Sequence, residues 1–190
     1  MPGTFGNAVS VIVSLLRGVN VGGHNKIKME ALRGLYETLG LKEVSTFIQS
    51  GNVVFRVEEN HLPGLAQRIE SAIEADFGFR PSVVLRTHAE WKEVIANNPF
   101  AARSGMDPAK LVVNFLATGP GKEAWKRLLA IETNPEELRA GGRELYIYFP
   151  NGQGKSKLQV GRIDKALGVA TTGRNWNSVL KLGEMAEGLG

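Results

Sequence analysis

The chain alternates short apolar runs with segments in which apolar residues recur every three to four positions. Val9–Leu16 is an apolar run long enough to cross a sheet but too short to cross a membrane, so it predicts a buried strand. The other short apolar runs predict strands at 44–49, 53–57, 82–86, 110–117, 143–149 and 169–172, and the Gly-Gly turn at 141–142 predicts a hairpin that adds a strand at 136–140. The helical periodicity predicts helices at 29–39, 61–77, 122–131, 156–167 and 175–187, and a capping box at Thr87 predicts a short helix after it.

These elements follow the order β-α-β-β-α-β twice along the chain. That order is typical of the ferredoxin-like fold, so we predict an α+β protein of two ferredoxin-like halves packed into one compact chain. The first half is predicted at 1–87 and the second at 110–190 with an extra terminal helix. A short helical connector is predicted at 88–109.

Several turns and helix starts can be predicted from capping patterns. Thr87 with Glu90, and Ser156 with Gln159, have the spacing of capping boxes, and Asn60 is the predicted N-cap of the helix at 61–77. The tight-turn sequence Ser-Gly-Asn at 50–52 predicts the connection between the second and third strands.

The composition is that of an ordinary globular protein, with 43% hydrophobic and 22% charged residues. The chain has no cysteine, which excludes disulfides, thiolate metal sites and cysteine nucleophiles. Residues 1–7 carry no basic side chain and no apolar run reaches the ~20 residues of a membrane span, so we expect a cytoplasmic protein without membrane association.

The net charge of +4 is concentrated in one segment. Residues 151–181 contain six basic side chains against the single acidic Asp164; the basic residues are Lys155, Lys157, Arg162, Lys165, Arg174 and Lys181. This surplus would attract an anionic partner such as a nucleic acid. A solvated basic helix face is the alternative interpretation.

Polar residues and glycines cluster where two predicted strands end. Arg17 and Asn20 follow the first strand within a glycine-rich loop, while Gln49 and Asn52 flank the turn after the second. A right-handed crossover makes these two strands parallel, so both clusters should lie at the same edge of the sheet. The same argument brings 151–155 and 171–174 together in the second half.

Neither glycine-rich loop is a complete phosphate-binding P-loop. Gly18 and Gly23 have the required spacing, but His24-Asn25 stands where Lys-Ser/Thr is needed. The Gly-Lys-Ser at 154–156 lacks the upstream glycine, because Phe149 occupies that position. A P-loop NTPase is therefore excluded, which leaves either anion binding through backbone N–H groups or glycines that only shape the loops.

Arg174, Asn175 and Trp176 combine a cation, an amide and an indole near the start of the last helix. Trp176 would stack on a base or another planar ligand while Arg174 binds its phosphate; alternatively, Trp176 buries the helix. The three histidines share no metal-ligand spacing with each other or with carboxylates, so no metal or cofactor is predicted.

Several ordered motifs resemble domain of unknown function family 1697 (DUF1697). They are Leu-Arg-Gly-Val-Asn-Val-Gly-Gly at 16–23, Lys-Ile-Lys-Met at 26–29, Gln-Ser-Gly-Asn-Val-Val-Phe at 49–55, Asn-Pro-Phe at 98–100 and Arg-Asn-Trp-Asn at 174–177. The resemblance implies a bacterial α+β protein with ferredoxin-like parts. It implies no reaction, cofactor or catalytic residue.

The leading hypothesis from the sequence is a site for an anionic small molecule, such as a nucleotide or a phosphorylated metabolite. Its predicted ligand-binding residues are Arg17, Asn20, Gln49, Asn52, Arg174, Asn175 and Trp176. Two alternatives are nonspecific nucleic-acid binding through 151–181 and a cofactor-free enzyme with His24 as its base.

Overall fold

A computed structural model describes residues 8–190 of the protein, which form eight strands and six α-helices. The strands are β1 Val9–Leu16, β2 Lys42–Phe47, β3 Asn52–Glu58, β4 Val83–Thr87, β5 Leu111–Leu116, β6 Glu137–Gly141, β7 Glu144–Tyr148 and β8 Thr171–Asn175. The helices are α1 Met29–Thr38, α2 Leu65–Phe77, α3 His88–Ala96, α4 Lys122–Leu129, α5 Val160–Leu167 and α6 Trp176–Glu187. Among the described helices, none is long and apolar enough to cross a membrane.

The strands form two antiparallel sheets of four strands each. Their orders are β2-β3-β1-β4 and β6-β7-β5-β8, so the central strands of each sheet are its first and third in sequence. Each sheet is accompanied by two helices in the order β-α-β-β-α-β. The predicted α+β class, with two halves of the same element order, is confirmed.

The chain divides into two units. The first extends to Trp91 and also contains Leu182–Gly190, whereas the second is Lys92–Lys181. The two boundaries between the units therefore lie within α3 and α6. We call these parts the first unit and the second unit.

The core of the first unit lies on the sheet face formed by alternate residues of β1. Ile12, Ser14 and Leu16 share this face because side chains alternate along a strand. Tyr36 of α1 packs edge-on against Phe55 with ring centroids 5.5 Å apart. The Tyr36 hydroxyl forms a buried 2.8 Å hydrogen bond with that of Ser14, so this polar pair is satisfied inside an apolar core.

The second unit builds its core in the same way from alternate residues of β5 and β7. Val112 and Leu116 pack with Leu145 and Ile147, and α4 and α5 add Leu128, Ile163 and Leu167. On the other face, Tyr146 is buried and its hydroxyl donates a 2.8 Å hydrogen bond to the carbonyl of Val94. Both faces of this sheet therefore bury side chains.

The structure confirms one predicted capping box and contradicts two helix starts. The backbone N–H of Thr87 donates to Glu90, and that of Glu90 donates to the Thr87 hydroxyl. The helix predicted from 61 begins at Leu65, because Gly64 adopts a positive φ of 70° that interrupts the helical backbone. The helix predicted from Ser156 begins at Val160; the Ser156 hydroxyl instead accepts a local hydrogen bond from Leu158 N–H.

The last strand also differs from its prediction. It was predicted at 169–172 but spans Thr171–Asn175, so Arg174 lies within a strand instead of a loop before a helix. Its pairing with β5, in which Arg174 lies opposite Val113, extends the strand through these polar residues. Tertiary pairing overrides the weak strand propensity of Gly173 and Asn175.

Candidate functional site

The loop after β1 is a small ordered hairpin. The N–H of Asn20 donates to the carbonyl of Asn25, and the N–H of His24 donates to that of Val21. Gly22 and Gly23 sit at the tip with φ of 58° and 81°, as the two central residues of a type I′ turn require. The glycines therefore have a clear role in shaping the loop.

The Asn20 side chain joins this loop to the turn between β2 and β3. Its Nδ2 donates to the carbonyls of Ile27, at 3.0 Å, and Gln49, at 2.7 Å. Its Oδ1 accepts a 2.9 Å hydrogen bond from the N–H of Ile27. The two segments thus meet at one sheet edge, as the strand topology predicts, and both amide hydrogens of Asn20 bond within the fold.

The turn at 48–51 is held closely against the end of β1. Gly51 has a φ of 70°, and its carbonyl accepts a hydrogen bond from Leu16 N–H. A Cβ added to Gly51 would lie 2.8 Å from Leu16 Cβ, so only glycine fits without a shift. Asn52 is fully buried, and its amide donates to Phe47 and Ser50. Asn52 therefore closes the turn from inside the fold.

A pocket whose volume lies within the roughly 300–1,000 Å³ typical of small-ligand sites is found beside these contacts. Its volume is about 550 Å³, and its lining residues are Asn20, Gly23, Lys26, Ile27, Lys28 and Gln49. We call it the loop pocket. Two lysines and no carboxylate contribute to this lining, so its local charge is positive.

The loop pocket lies at the start of α1. Lys28 is the N-cap residue of this helix and forms no side-chain capping hydrogen bond. The first N–H groups of a helix lack partners within the helix and carry the positive end of its dipole. The acidic Glu30 lies in the first turn and offsets part of this positive potential.

Lys26 and Lys28 were not among the residues predicted to bind a ligand. The signal available in the sequence was their alternation around Ile27 immediately before a helix that has no Ser, Thr, Asp or Asn at its N-cap. Ile27 is 3% exposed, so it anchors the segment and leaves the two lysines at the surface.

The structure places Arg17 and His24 outside the lining of the loop pocket. Arg17 directly follows β1, is half-buried, and donates its backbone N–H to the carbonyl of Ser82. His24 is exposed at the tip of the hairpin. Of the predicted ligand-binding residues, Asn20 and Gln49 are therefore the two that line this pocket.

The predicted residues near α6 all belong to the second unit. Arg174 is buried and donates to the Thr172 hydroxyl at 3.0 Å and to the Gly173 carbonyl at 2.8 Å. Burial lowers the pKa of Arg174 to about 10, so the guanidinium still carries its charge at neutral pH. Arg174 is thus part of the interior of this unit.

Asn175 and Trp176 start α6. The Asn175 side chain accepts from Asn177 N–H, as an N-cap does, and donates to the carbonyl of Ala109. Trp176 is 6% exposed, so most of its indole is covered. These contacts give both residues a structural role in the second unit.

The basic residues of 151–181 have different surroundings. Lys157 and Arg162 line a cavity of about 420 Å³ together with Glu132 and Glu136. A second cavity, of about 400 Å³, is lined by Arg127, Ile131, Arg162, Lys165 and Ala166. None of these lining residues is acidic. We call it the helical groove, because its lining residues lie in α4, in α5 and just after the end of α4. Within residues 8–190, no group of three His, Asp or Glu side chains is arranged to hold a metal ion.

The model of the family described as "Protein of unknown function (DUF1697)" matches residues 9–146, well over half of the chain. The chain belongs to the DUF1697 family. This match contains the hairpin after β1, the turn at 48–51 and both lysines of the loop pocket. The motif at 174–177 lies beyond it.

One solved structure is similar to this DUF1697 protein over nearly its whole length. It is a conserved bacterial protein from Streptococcus pneumoniae, 24% identical, with a TM-score of 0.78 over 95% of this chain and 99% of the other. At this identity the similarity shows a common fold. The comparison with curated proteins gave no match.

Proposed function

We propose that the DUF1697 protein binds an anionic small molecule, a nucleotide or a phosphorylated metabolite, in the loop pocket. The observation that carries the proposal is the pairing of Lys26 and Lys28 at the uncapped start of α1, with no carboxylate in the lining. Anions are stabilised at helix N-termini by backbone N–H groups and by the dipole. Such a ligand would supply the missing cap.

The roles of the surrounding residues follow from their contacts. Lys26 and Lys28 provide charge, and the exposed Gln49 side chain provides an amide for a polar group of the ligand. Gly23 lets the ligand approach the backbone closely, because it has no side chain. Asn20 acts indirectly by holding the hairpin against the turn.

A thermal-shift series with nucleotides, sugar phosphates and inorganic phosphate tests this proposal. We expect at least one of these anions to raise the melting temperature of the parent protein. The double variant Lys26→Gln/Lys28→Gln should lose this response. Lys122→Gln/Lys126→Gln makes the same change of charge on exposed positions of α4 and should respond like the parent. Equal responses of the two double variants would refute the loop pocket as the site.

We also infer that each half is ferredoxin-like. The support is the strand order β2-β3-β1-β4, repeated as β6-β7-β5-β8, together with the element order β-α-β-β-α-β. A phosphorylated metabolite is a typical cytoplasmic ligand, so the proposal includes a cytoplasmic location. The similar protein from a bacterium supports a bacterial origin.

A second candidate function is nonspecific nucleic-acid binding through the helical groove. Arg127, Arg162 and Lys165 are exposed around it, and the Nε of Arg127 donates to the carbonyl of Ala166, which fixes its orientation. Binding to single-stranded DNA should weaken with salt, with a slope of about −0.7 per phosphate contact. Arg162→Gln/Lys165→Gln should reduce the magnitude of this slope by about 0.7 for each phosphate contact that is lost. No binding at low salt would exclude this function.

A further inference from the structure

A further pocket lies at the other end of the first sheet from the loop pocket. Its volume is about 370 Å³, and its lining residues are Val9, Gly40, Lys42, Glu43, Arg56, Val57, Glu58 and His61. We call it the bulge pocket. The pairing of Val9 with Glu58 and of Lys42 with Arg56 brings the starts of β1 and β2 to the end of β3. This site is therefore independent of the loop pocket.

An irregularity of the edge strand β2 shapes the bulge pocket. The register of β2 against β3 shifts between Lys42 and Ser45, and Glu43 within this interval has a φ of 50°. Glutamate rarely adopts this left-handed conformation, and such strained residues and β-bulges are common beside functional sites. The Glu43 carboxylate accepts a 3.0 Å hydrogen bond from Nη1 of Arg56.

Arg56 has one donor that its protein surroundings do not satisfy. Its Nε is buried and has no hydrogen-bond partner, although 38% of the side chain is exposed. The Nε and Nη2 hydrogens of a guanidinium point in parallel and match the two oxygens of a carboxylate. Since Nη1 bonds to Glu43, the edge formed by Nε and Nη2 is the one left for a ligand. Because Nε is covered in the unliganded fold, a ligand that pairs with this edge must shift the partly exposed Arg56 side chain.

The other lining groups carry charges of both signs. Lys42 adds a second cation beside Arg56, whereas Glu43 and Glu58 are carboxylates. Val9, which is 51% exposed, and the buried Val57 supply an apolar wall. A ligand that fits this pattern has a carboxylate, a cationic group and a small apolar part.

We propose that the bulge pocket binds a small zwitterion of the α-amino acid type. The ligand carboxylate bonds to Nε and Nη2 of Arg56, with Lys42 nearby. Its ammonium group is held by Glu58, and its side chain lies against Val9 and Val57. The pocket volume suits a free amino acid, and the mixed charges of the lining distinguish it from the wholly basic loop pocket.

Calorimetric and thermal-shift titrations with the free proteinogenic amino acids test the proposal. At least one should bind, and its N-acetyl and carboxamide derivatives, which each remove one charge, should bind at least tenfold more weakly. Failure of every free amino acid to bind, or equal binding of the derivatives, would overturn it.

Two variants identify the groups involved. Arg56→Lys keeps the charge but loses the paired donors, so the affinity should fall at least tenfold; Arg33→Lys, on the exposed pair with Glu37 in α1, should bind like the parent. If Arg56→Lys does not fold, Glu58→Gln should weaken binding of the free amino acid while leaving that of the N-acetyl form unchanged. If Arg56→Lys, or Glu58→Gln in its place, folds and binds the free amino acid with the affinity of the parent, the assignment is overturned. Lys26→Gln/Lys28→Gln should bind the amino acid normally, which separates this result from the loop pocket.

Discussion

The side chain of Asn20 donates a 2.7 Å hydrogen bond to the carbonyl of Gln49. This contact joins two segments that are 29 residues apart in the chain and supports one wall of the loop pocket. The Asn20 amide also donates to the carbonyl of Ile27 and accepts from the N–H of Ile27. Asn20 therefore organises the hairpin, the turn and the segment that leads into α1.

Asn20→Ala should destabilise the protein by about 2 kcal/mol, because it removes three hydrogen bonds that each contribute about 1 kcal/mol or less. Denaturant unfolding measures this loss. Asn97→Ala, at an exposed position after α3, is the control and should stay within about 0.5 kcal/mol of the parent. Similar stabilities of the two variants would mean that the Asn20 contacts do not hold the loop.

Gly51→Ala and Gly23→Ala separate backbone strain from crowding. Both glycines have positive φ, but a Cβ at Gly51 would meet Leu16 at 2.8 Å whereas Gly23 has nothing within 4 Å. Strain alone should cost about 1 kcal/mol in Gly23→Ala, and strain with crowding about 3 kcal/mol in Gly51→Ala. Equal free energies of unfolding would show that Leu16 moves aside without cost.

The stability of the first unit should depend on pH through Tyr36. Burial raises the pKa of Tyr36 above its usual value, and its hydrogen bond with Ser14 opposes this only in part. The folded state therefore keeps the phenol proton when the unfolded state releases it. Stability is intact below about pH 10 and falls by about 1.4 kcal/mol per pH unit above it.

Tyr36→Phe removes this titration. At neutral pH it should lower the free energy of unfolding by about 1 kcal/mol, because Ser14 loses its partner. Above about pH 10, however, its stability should fall less steeply than that of the parent. Urea unfolding over this pH range measures both effects, and parallel pH profiles would contradict the assignment to Tyr36.

Gly141→Ala should disturb the second unit through Tyr146. An added Cβ would lie 2.7 Å from Cε2 of the Tyr146 ring, whose hydroxyl bonds to Val94. We expect a loss of about 2 kcal/mol from overpacking. Gly161→Ala, in α5 with nothing within 4 Å, should instead stabilise by about 0.5 kcal/mol. Thermal unfolding gives the sign of each change, and a loss in both variants would contradict this explanation.

The sequence predicted the elements better than their ends. Apolar runs and periodicity identified most of the strands and helices of residues 8–190, because burial of one face imposes the pattern directly. The capping box at Thr87 identified α3, and the Gly-Gly turn at 141–142 identified β6. The start of α2 was wrong because Gly64 adopts a left-handed backbone in place of the expected cap at Asn60. The β8 strand was placed too early because its last residues owe their conformation to pairing with β5.

The site was harder to predict for a related reason. Topology correctly brought Asn20 to Gln49, but sequence could not tell that both amide hydrogens of Asn20 would bond to backbone carbonyls. Asn52 and Arg174 look like surface residues by type, yet both are buried by their strand positions. Lys26 and Lys28 look like ordinary surface lysines until the pocket beside α1 is known.

The membership of Leu182–Gly190 in the first unit has a consequence for synthesis of the protein. Leu182 and Ala186 are completely buried, so this segment contributes to the interior of the structure. Translation delivers it only after all of Lys92–Lys181 has been made. Domains generally complete folding in the order in which they emerge from the ribosome. In this protein, however, synthesis of the second unit is complete before synthesis of the first unit is complete.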